Sequence, residues 1–153
     1  MANTVQEALQ TAIMREAAAF ELYTSTADLV NPGPARDLLL DLAGQERGHR
    51  RRLENLRAKG AFARLTPKQQ EQVLDLKITD HLVAVPLSRT ASLQDILTVA
   101  GQREAASHAL YTGLAELSED ERMRSLFEFL ATEELKHKQA VEKLYEDLFL
   151  PEN

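Results

Sequence analysis

Apolar residues recur at alternating steps of three and four along four stretches of the chain, the spacing that gathers side chains on one buried face of an α-helix. The first stripe is Leu9, Ile13, Glu16, Phe20, Tyr23, Ala27 and Val30; the second is Leu39, Leu42, Glu46, His49, Leu53 and Leu56. The third is Leu97, Gly101, Glu104, His108, Tyr111 and Ala115, and the fourth is Phe127, Leu130, Glu134, His137, Val141, Leu144 and Leu148. Every stripe predicts an amphipathic helix, and every stripe is broken by a glutamate.

Helix-breaking residues set the limits. The first helix is expected from about Val5 to Val30, where "NPGPA" ends it, and Pro34 suits the first turn of the second, which runs to about Lys59 before Gly60. The third is expected over Leu93–Leu117, the polar "SEDE" reverses the chain, and the fourth continues to about Phe149 before Pro151. Residues 60–91 are too many for a tight turn and include a short helix predicted after Thr66-Pro67. They fit a long crossover between parallel neighbours in a four-helix bundle.

The two halves repeat. "REAAAFELYTSTAD" from Arg15 and "REAASHALYTGLAE" from Arg103 align without gaps at an offset of 88, which also carries Leu42, Ala43, Glu46, His49 and Leu56 onto Leu130, Ala131, Glu134, His137 and Leu144. It carries Thr4-Val-Gln-Glu7 onto Ser92-Leu-Gln-Asp95, two capping-box-like helix starts. The expectation is one all-α domain over residues 1–153: hairpin one at about 4–59, crossover 60–91, hairpin two at about 92–149.

The polar residues in the stripes call for compensation, because a buried carboxylate or imidazole is costly to desolvate unless paired. Within each hairpin the Glu of the first helix and the Glu-x-x-His of the second lie equally far from the turn, so all are expected at one height near mid-bundle. Residues three apart share a helix face, so each Glu-x-x-His presents two ligands together. No Arg or Lys lies on the stripes. Four carboxylates carry a charge of -4 and ligating histidines are neutral, so two divalent ions would neutralise the cluster and one would not. Oxygen-rich sites with one imidazole per metal suit iron or manganese, with zinc a possible substitute.

Composition narrows the rest. The chain has no cysteine, which excludes disulfides, thiolate metal sites and a cysteine nucleophile. Its formal charge of -6 argues against nucleic acid as the main partner, and the basic run "RGHRRRLENLRAK" reads as a solvated helix face. No secretory signal or membrane-length apolar run is evident, so a cytoplasmic protein without a membrane partner is expected. His81, in the crossover, reads as a surface residue.

One Glu on each of the first and third helices, with "ERGH" on the second and "EELKH" on the fourth, resembles the ferritin-like di-iron carboxylate proteins. With a histidine in both hairpins, the pattern is most similar to the rubrerythrin group over about residues 4–149. The resemblance implies a two-iron centre in which Glu46 and Glu134 bridge, Glu16 and Glu104 are terminal, and His49 and His137 each ligate one ion. It implies reaction with hydrogen peroxide or dioxygen, and a homodimer. Rubrerythrins proper carry a rubredoxin module that needs four cysteines, so here the electrons would come from an external donor protein. They also carry a further Glu where this chain has Ser107, followed by His108. Tyr23, Tyr111 and His108 are candidate supporting residues around the ligands. Ferroxidase or iron-handling activity, oxygenation of an organic substrate, and a metal-stabilised interaction bundle without turnover remain alternatives.

Overall fold

The computed structural model describes residues 5–60, 66–68, 71–72, 91–118 and 120–150. Among the described residues there are four long helices: α1 (Val5–Ala27), α2 (Pro34–Ala58), α3 (Leu93–Leu117) and α4 (Glu121–Phe149). The architecture is the expected all-α four-helix bundle of two hairpins. In the crossover, Pro67, Lys68, Glu71 and Gln72 are helical, in the place where a short helix was expected; His81 lies outside the described residues, as does Thr4.

The helix ends follow local chemistry. Ser92 caps α3 by accepting the Asp95 amide at 3.1 Å, and Asp120 caps α4 by accepting the Arg122 amide at 2.8 Å. Pro34 begins α2 behind Gly33, whose φ of 150° suits glycine. α1 stops at Ala27 rather than the expected Val30, because the Arg36 guanidinium takes the carbonyls of Ala27 (3.0 Å) and Val30 (2.7 Å). That contact offers the last carbonyls a partner outside the helix and ties the turn to α2.

α1 packs on α2 and α3 on α4, and the hairpins meet through α1 against α3 and α2 against α4. Tyr111 faces Glu16 while Tyr23 faces Glu104, so α1 and α3 run antiparallel. His49 faces Glu134 while His137 faces Glu46, so α2 and α4 do too. The parallel pair joined by the crossover, α2 and α3, therefore stands on a diagonal and not side by side as expected. Pseudo-two-fold pairing of the repeats makes all four packed neighbours antiparallel.

Two apolar layers fill the interior. One holds Leu9, Ile13, Leu53, Leu110, Leu114, Phe127 and Leu130; the other holds Leu39, Leu42, Leu97, Val141 and Leu144. Each buried Leu or Phe stabilises the fold by roughly 1.5–3 kcal/mol, which offsets a polar layer between them. Leu148, expected on the fourth stripe, is exposed, and Tyr145 and Phe149 pack on the core instead. A strict seven-residue repeat drifts around a straight helix by ~20° per heptad, and by the last turn the buried face has moved on. The basic run lies on α2 with Arg47, Arg51 and Arg52 exposed, as expected. Among the described residues, no helix is long and apolar enough to cross a membrane.

Candidate metal centre

Glu16, Glu46, His49, Glu104, Glu134 and His137 are all buried, and they form the polar layer between the two apolar ones. Their donor atoms fall into two groups. Glu16, Glu46, His49 and Glu134 bring one atom each within 4.8 Å of one another, and so do Glu46, Glu104, Glu134 and His137. Glu46 and Glu134 belong to both.

The groups are near-copies. His49 Nδ1 lies 3.0 Å from Glu134, 3.8 Å from Glu16 and 3.9 Å from Glu46. His137 Nδ1 lies 2.5 Å from Glu46, 3.7 Å from Glu104 and 3.9 Å from Glu134. Donors that each stand ~2.1 Å from one ion are roughly 3–4 Å apart, so these separations suit a shared cation. The two imidazoles stack with centroids 5.5 Å apart and planes 14° from parallel.

Hydrogen bonding gives an independent test of fit. Gln45 donates through Nε2 to Asp41 at 2.8 Å, which turns its Oε1 toward His137 Nε2 at 2.7 Å. The proton of His137 therefore sits on Nε2, leaving a lone pair on Nδ1 against a Glu46 oxygen. Two acceptors at that separation need a proton or a cation between them. The outer imidazole nitrogen held by a second residue is also the usual way of aiming a ligating histidine. Oε2 of Glu16 and Oε2 of Glu104, from one group each, are buried without a hydrogen-bond partner among the described residues.

Electrostatics agrees. Burial, then repulsion from Glu16, pushes Glu46 well above the usual carboxylate range, with Arg15 opposing. Burial, then Glu16 and Glu104, does the same to Glu134. Glu16 is driven up by burial, but its close neighbours Glu46 and His49 and the hydrogen bond from Tyr111 bring it down to about 2. The shared carboxylates are thus easier to protonate than ordinary ones, and a bound divalent ion would oppose that by favouring their charged form.

Tyr23 and Tyr111 are buried at the cluster and cross between hairpins. Tyr23 Oη donates to Glu104 at 2.6 Å and Tyr111 Oη to Glu16 at 2.5 Å. Burial, then the charge of the same Glu, pushes each phenol well above its ordinary value, so both remain donors at neutral pH. They fix Oε1 of each outer carboxylate; the free Oε2 of Glu16 lies 3.8 Å from His49, whereas on Glu104 it is the tyrosine-bonded Oε1 that lies 3.7 Å from His137.

His108 is elsewhere. It belongs to neither donor group; its Nδ1 lies 2.8 Å from the Ala131 carbonyl, and its ring lines a groove with Thr112, Glu128 and Thr132 on the outside of α3 and α4. Ser107, one position earlier, is the side chain that turns inward; it is buried and accepts a 2.6 Å hydrogen bond from Arg15 Nε. Arg15, Arg103, Ser107 and Gln45 are the residues around the cluster that the stripes did not reveal. Arg15 and Arg103 head the two repeated segments, and that identity was the available signal.

The sequence profile of the rubrerythrin family, described as "Rubrerythrin", matches residues 95–153. Those residues are the second hairpin, with Glu104, Glu134 and His137 in place. The second hairpin is similar to the rubrerythrin family. No curated protein and no solved structure matches the chain. The profile covers the second hairpin only; the first carries the same Glu and Glu-x-x-His at the constant offset, and each donor group draws residues from both halves. Buried Glu/His groups of this composition point to a metal site.

Proposed function

We propose that this rubrerythrin-like bundle holds two iron ions and acts as an oxidoreductase on hydrogen peroxide or dioxygen, drawing electrons from an external donor protein. The observation that carries the reading is the membership of Glu46 and Glu134 in both donor groups, which makes the cluster a site for a pair of ions sharing two carboxylates. Glu16 and His49 complete one position, Glu104 and His137 the other.

When bound, a pair of iron ions supplies the two electrons that reduce hydrogen peroxide, with two protons, to two molecules of water. The chain's own groups do the positioning. Tyr23 and Tyr111 hold the outer carboxylates through donated hydrogen bonds, so each presents a single free oxygen. Gln45 holds the proton of His137 on Nε2 and keeps Nδ1 directed inward. The apolar layers above and below lower the local dielectric, which strengthens each of these contacts.

Anaerobic reduction of the iron-loaded protein, followed by rapid mixing with peroxide or with oxygen in separate runs, tests the reading. Oxidation of two irons per chain faster than free ferrous iron under the same conditions is expected. Oxidation no faster than in buffer, with two irons bound, would leave a metal-binding bundle without this activity.

A further inference from the structure

Between α1 and α3 a cavity of ≈ 240 Å³ reaches the cluster, with Glu16, Glu46 and Glu104 among its lining residues. The histidines and the residues behind them, Gln45 and Phe129, belong to α2 and α4, so the cavity meets the cluster from the opposite side. Ala19 and Ser107 account for the space. They are repeat counterparts three residues beyond Glu16 and Glu104, so they share the faces of those glutamates one turn on, and both are small. Arg15 is a fixed part of the wall: its Nε donates to Ser107 at 2.6 Å and its Nη2 to the Arg103 carbonyl. Met14, 61% exposed, and Ala18, also exposed, stand at the mouth, where the cavity opens to solvent.

Size and lining together select an occupant. A cavity of roughly 150 Å³ takes a benzene molecule, so this one is far larger than hydrogen peroxide requires. Its α1 wall of Met14, Ala18 and Ala19 is apolar, and its floor is the carboxylates. A molecule with a compact alkyl body and a polar head matches both, the body leaving water against apolar side chains and the head meeting the cluster. An alkyl hydroperoxide has that form, is uncharged at neutral pH, and shares its O–O bond with hydrogen peroxide.

We propose that this chamber is a substrate pocket for small alkyl hydroperoxides as well as hydrogen peroxide, the alkyl body against Met14, Ala18 and Ala19 and the O–O group toward Glu16 and Glu104. The proposal rests on the oxidoreductase reading above and names its substrate class. The reaction balances as it does for hydrogen peroxide: the O–O bond breaks, two electrons from the iron pair and two protons are taken up, and an alcohol and a water molecule leave.

Two experiments test it, the first without turnover. tert-Butanol, the alcohol product of tert-butyl hydroperoxide, is titrated into zinc-loaded protein, which has no redox chemistry, and the methyl signals of Met14, Ala18 and Ala19 are followed by NMR. Saturable shifts at these methyls are expected, and their loss in Ala19→Leu, whose longer side chain fills the cavity. In the second, reduced protein with two irons counted per chain is mixed rapidly with tert-butyl hydroperoxide and, separately, with hydrogen peroxide. Both are expected to oxidise the irons faster than they oxidise free ferrous iron. Ala19→Leu is expected to lower the ratio of the tert-butyl hydroperoxide rate to the hydrogen peroxide rate roughly tenfold, the scale on which a pocket discriminates between substrates differing by a methylene. Ala18→Leu, at the exposed mouth, should lower the same ratio and serves if Ala19→Leu does not fold. No saturable methyl shifts in the unaltered protein, an unchanged ratio in the folded variants, or tert-butyl hydroperoxide reacting no faster than with free ferrous iron while hydrogen peroxide or dioxygen does, would each overturn the proposal. If none of the three oxidants outpaces its reaction with free ferrous iron, the oxidoreductase reading itself fails, and the chamber's substrate role with it.

Discussion

Asp41 and Gln45 of the first hairpin stand behind His137, whereas their repeat counterparts in the second are Phe129 and Glu133. Phe129 meets the ring of His49 edge-on at 6.2 Å and is itself covered by the Arg52 guanidinium at 4.6 Å. Toward the cluster the hairpins agree: Glu16 with Glu104, Tyr23 with Tyr111, Glu46 with Glu134, His49 with His137. Behind it they diverge. One imidazole is backed by a hydrogen-bonded amide and the other by an aromatic ring. Donor geometry on the inner face is shared because both halves build the same cluster, while the residues behind have been free to make its two positions inequivalent.

The largest expected effect breaks the symmetric part. Glu46→Ala and Glu134→Ala each remove a carboxylate common to both donor groups, so either is expected to abolish tight binding at both positions. The loss should exceed the roughly 10- to 100-fold that removal of a supporting partner costs. Glu16→Ala touches one group only and should spare the other position. Titration with ferrous iron under anaerobic conditions measures this; if Glu46→Ala retained one site of unaltered affinity, Glu46 would not be shared.

Gln45→Leu and Phe129→Leu sharpen the asymmetric part. The first frees the His137 tautomer and is expected to lower affinity at one position by roughly 10- to 100-fold, leaving the other nearly unchanged. The second removes an aromatic contact from His49 and is expected to cost affinity much less. Two-site binding curves compare them, and equal effects would mean that the outer residues do not distinguish the positions.

The helices, the repeat and the six buried Glu and His were legible in the chain because each is a matter of spacing. Alternating steps of three and four place Glu16 and Glu104 on a face, and the distance to each turn places them at the height of the Glu-x-x-His pairs. Spacing does not say which flank of a stripe meets which neighbour. Ser107 and His108 lie three and four residues beyond Glu104, on opposite sides of its line, and packing turns Ser107 to Arg15 and His108 to Ala131. Gln45 lay off the stripe and reached His137 only once α2 packed on α4. The end of α1 depended on Arg36, nine residues past Ala27 in the next helix. The diagonal placement of α2 and α3 followed from how the hairpins pair, which hairpin-internal patterns do not contain.

The smallest expected effect concerns His108. His108→Phe copies Phe20, its counterpart in the first hairpin, and removes one hydrogen bond to the Ala131 carbonyl. It is expected to cost about 0.5–1.5 kcal/mol of stability, with metal content and reaction rates unchanged. Urea unfolding and the titration above check both; altered iron affinity would return His108 to the cluster's surroundings.

Counting metal in the purified protein, before and after chelation, tests the two-ion cluster most directly. Two transition-metal ions per chain are expected, with a marked fall in thermal stability on their removal at neutral pH. The sign follows from the carboxylates: Glu46 and Glu134 have folded pKa values raised well above 4.5, so the stability they lend the metal-free fold is full below that value and is lost as pH rises through the raised ones. Glu16, lowered to about 2, acts oppositely only as pH falls from about 4.5 toward that value. The chelated protein should therefore be markedly more stable near pH 5 than near pH 8, and the metal-loaded protein should lack that loss. One ion or none in a fully loaded sample, with the same unfolding temperature after chelation at pH 8, would contradict the account.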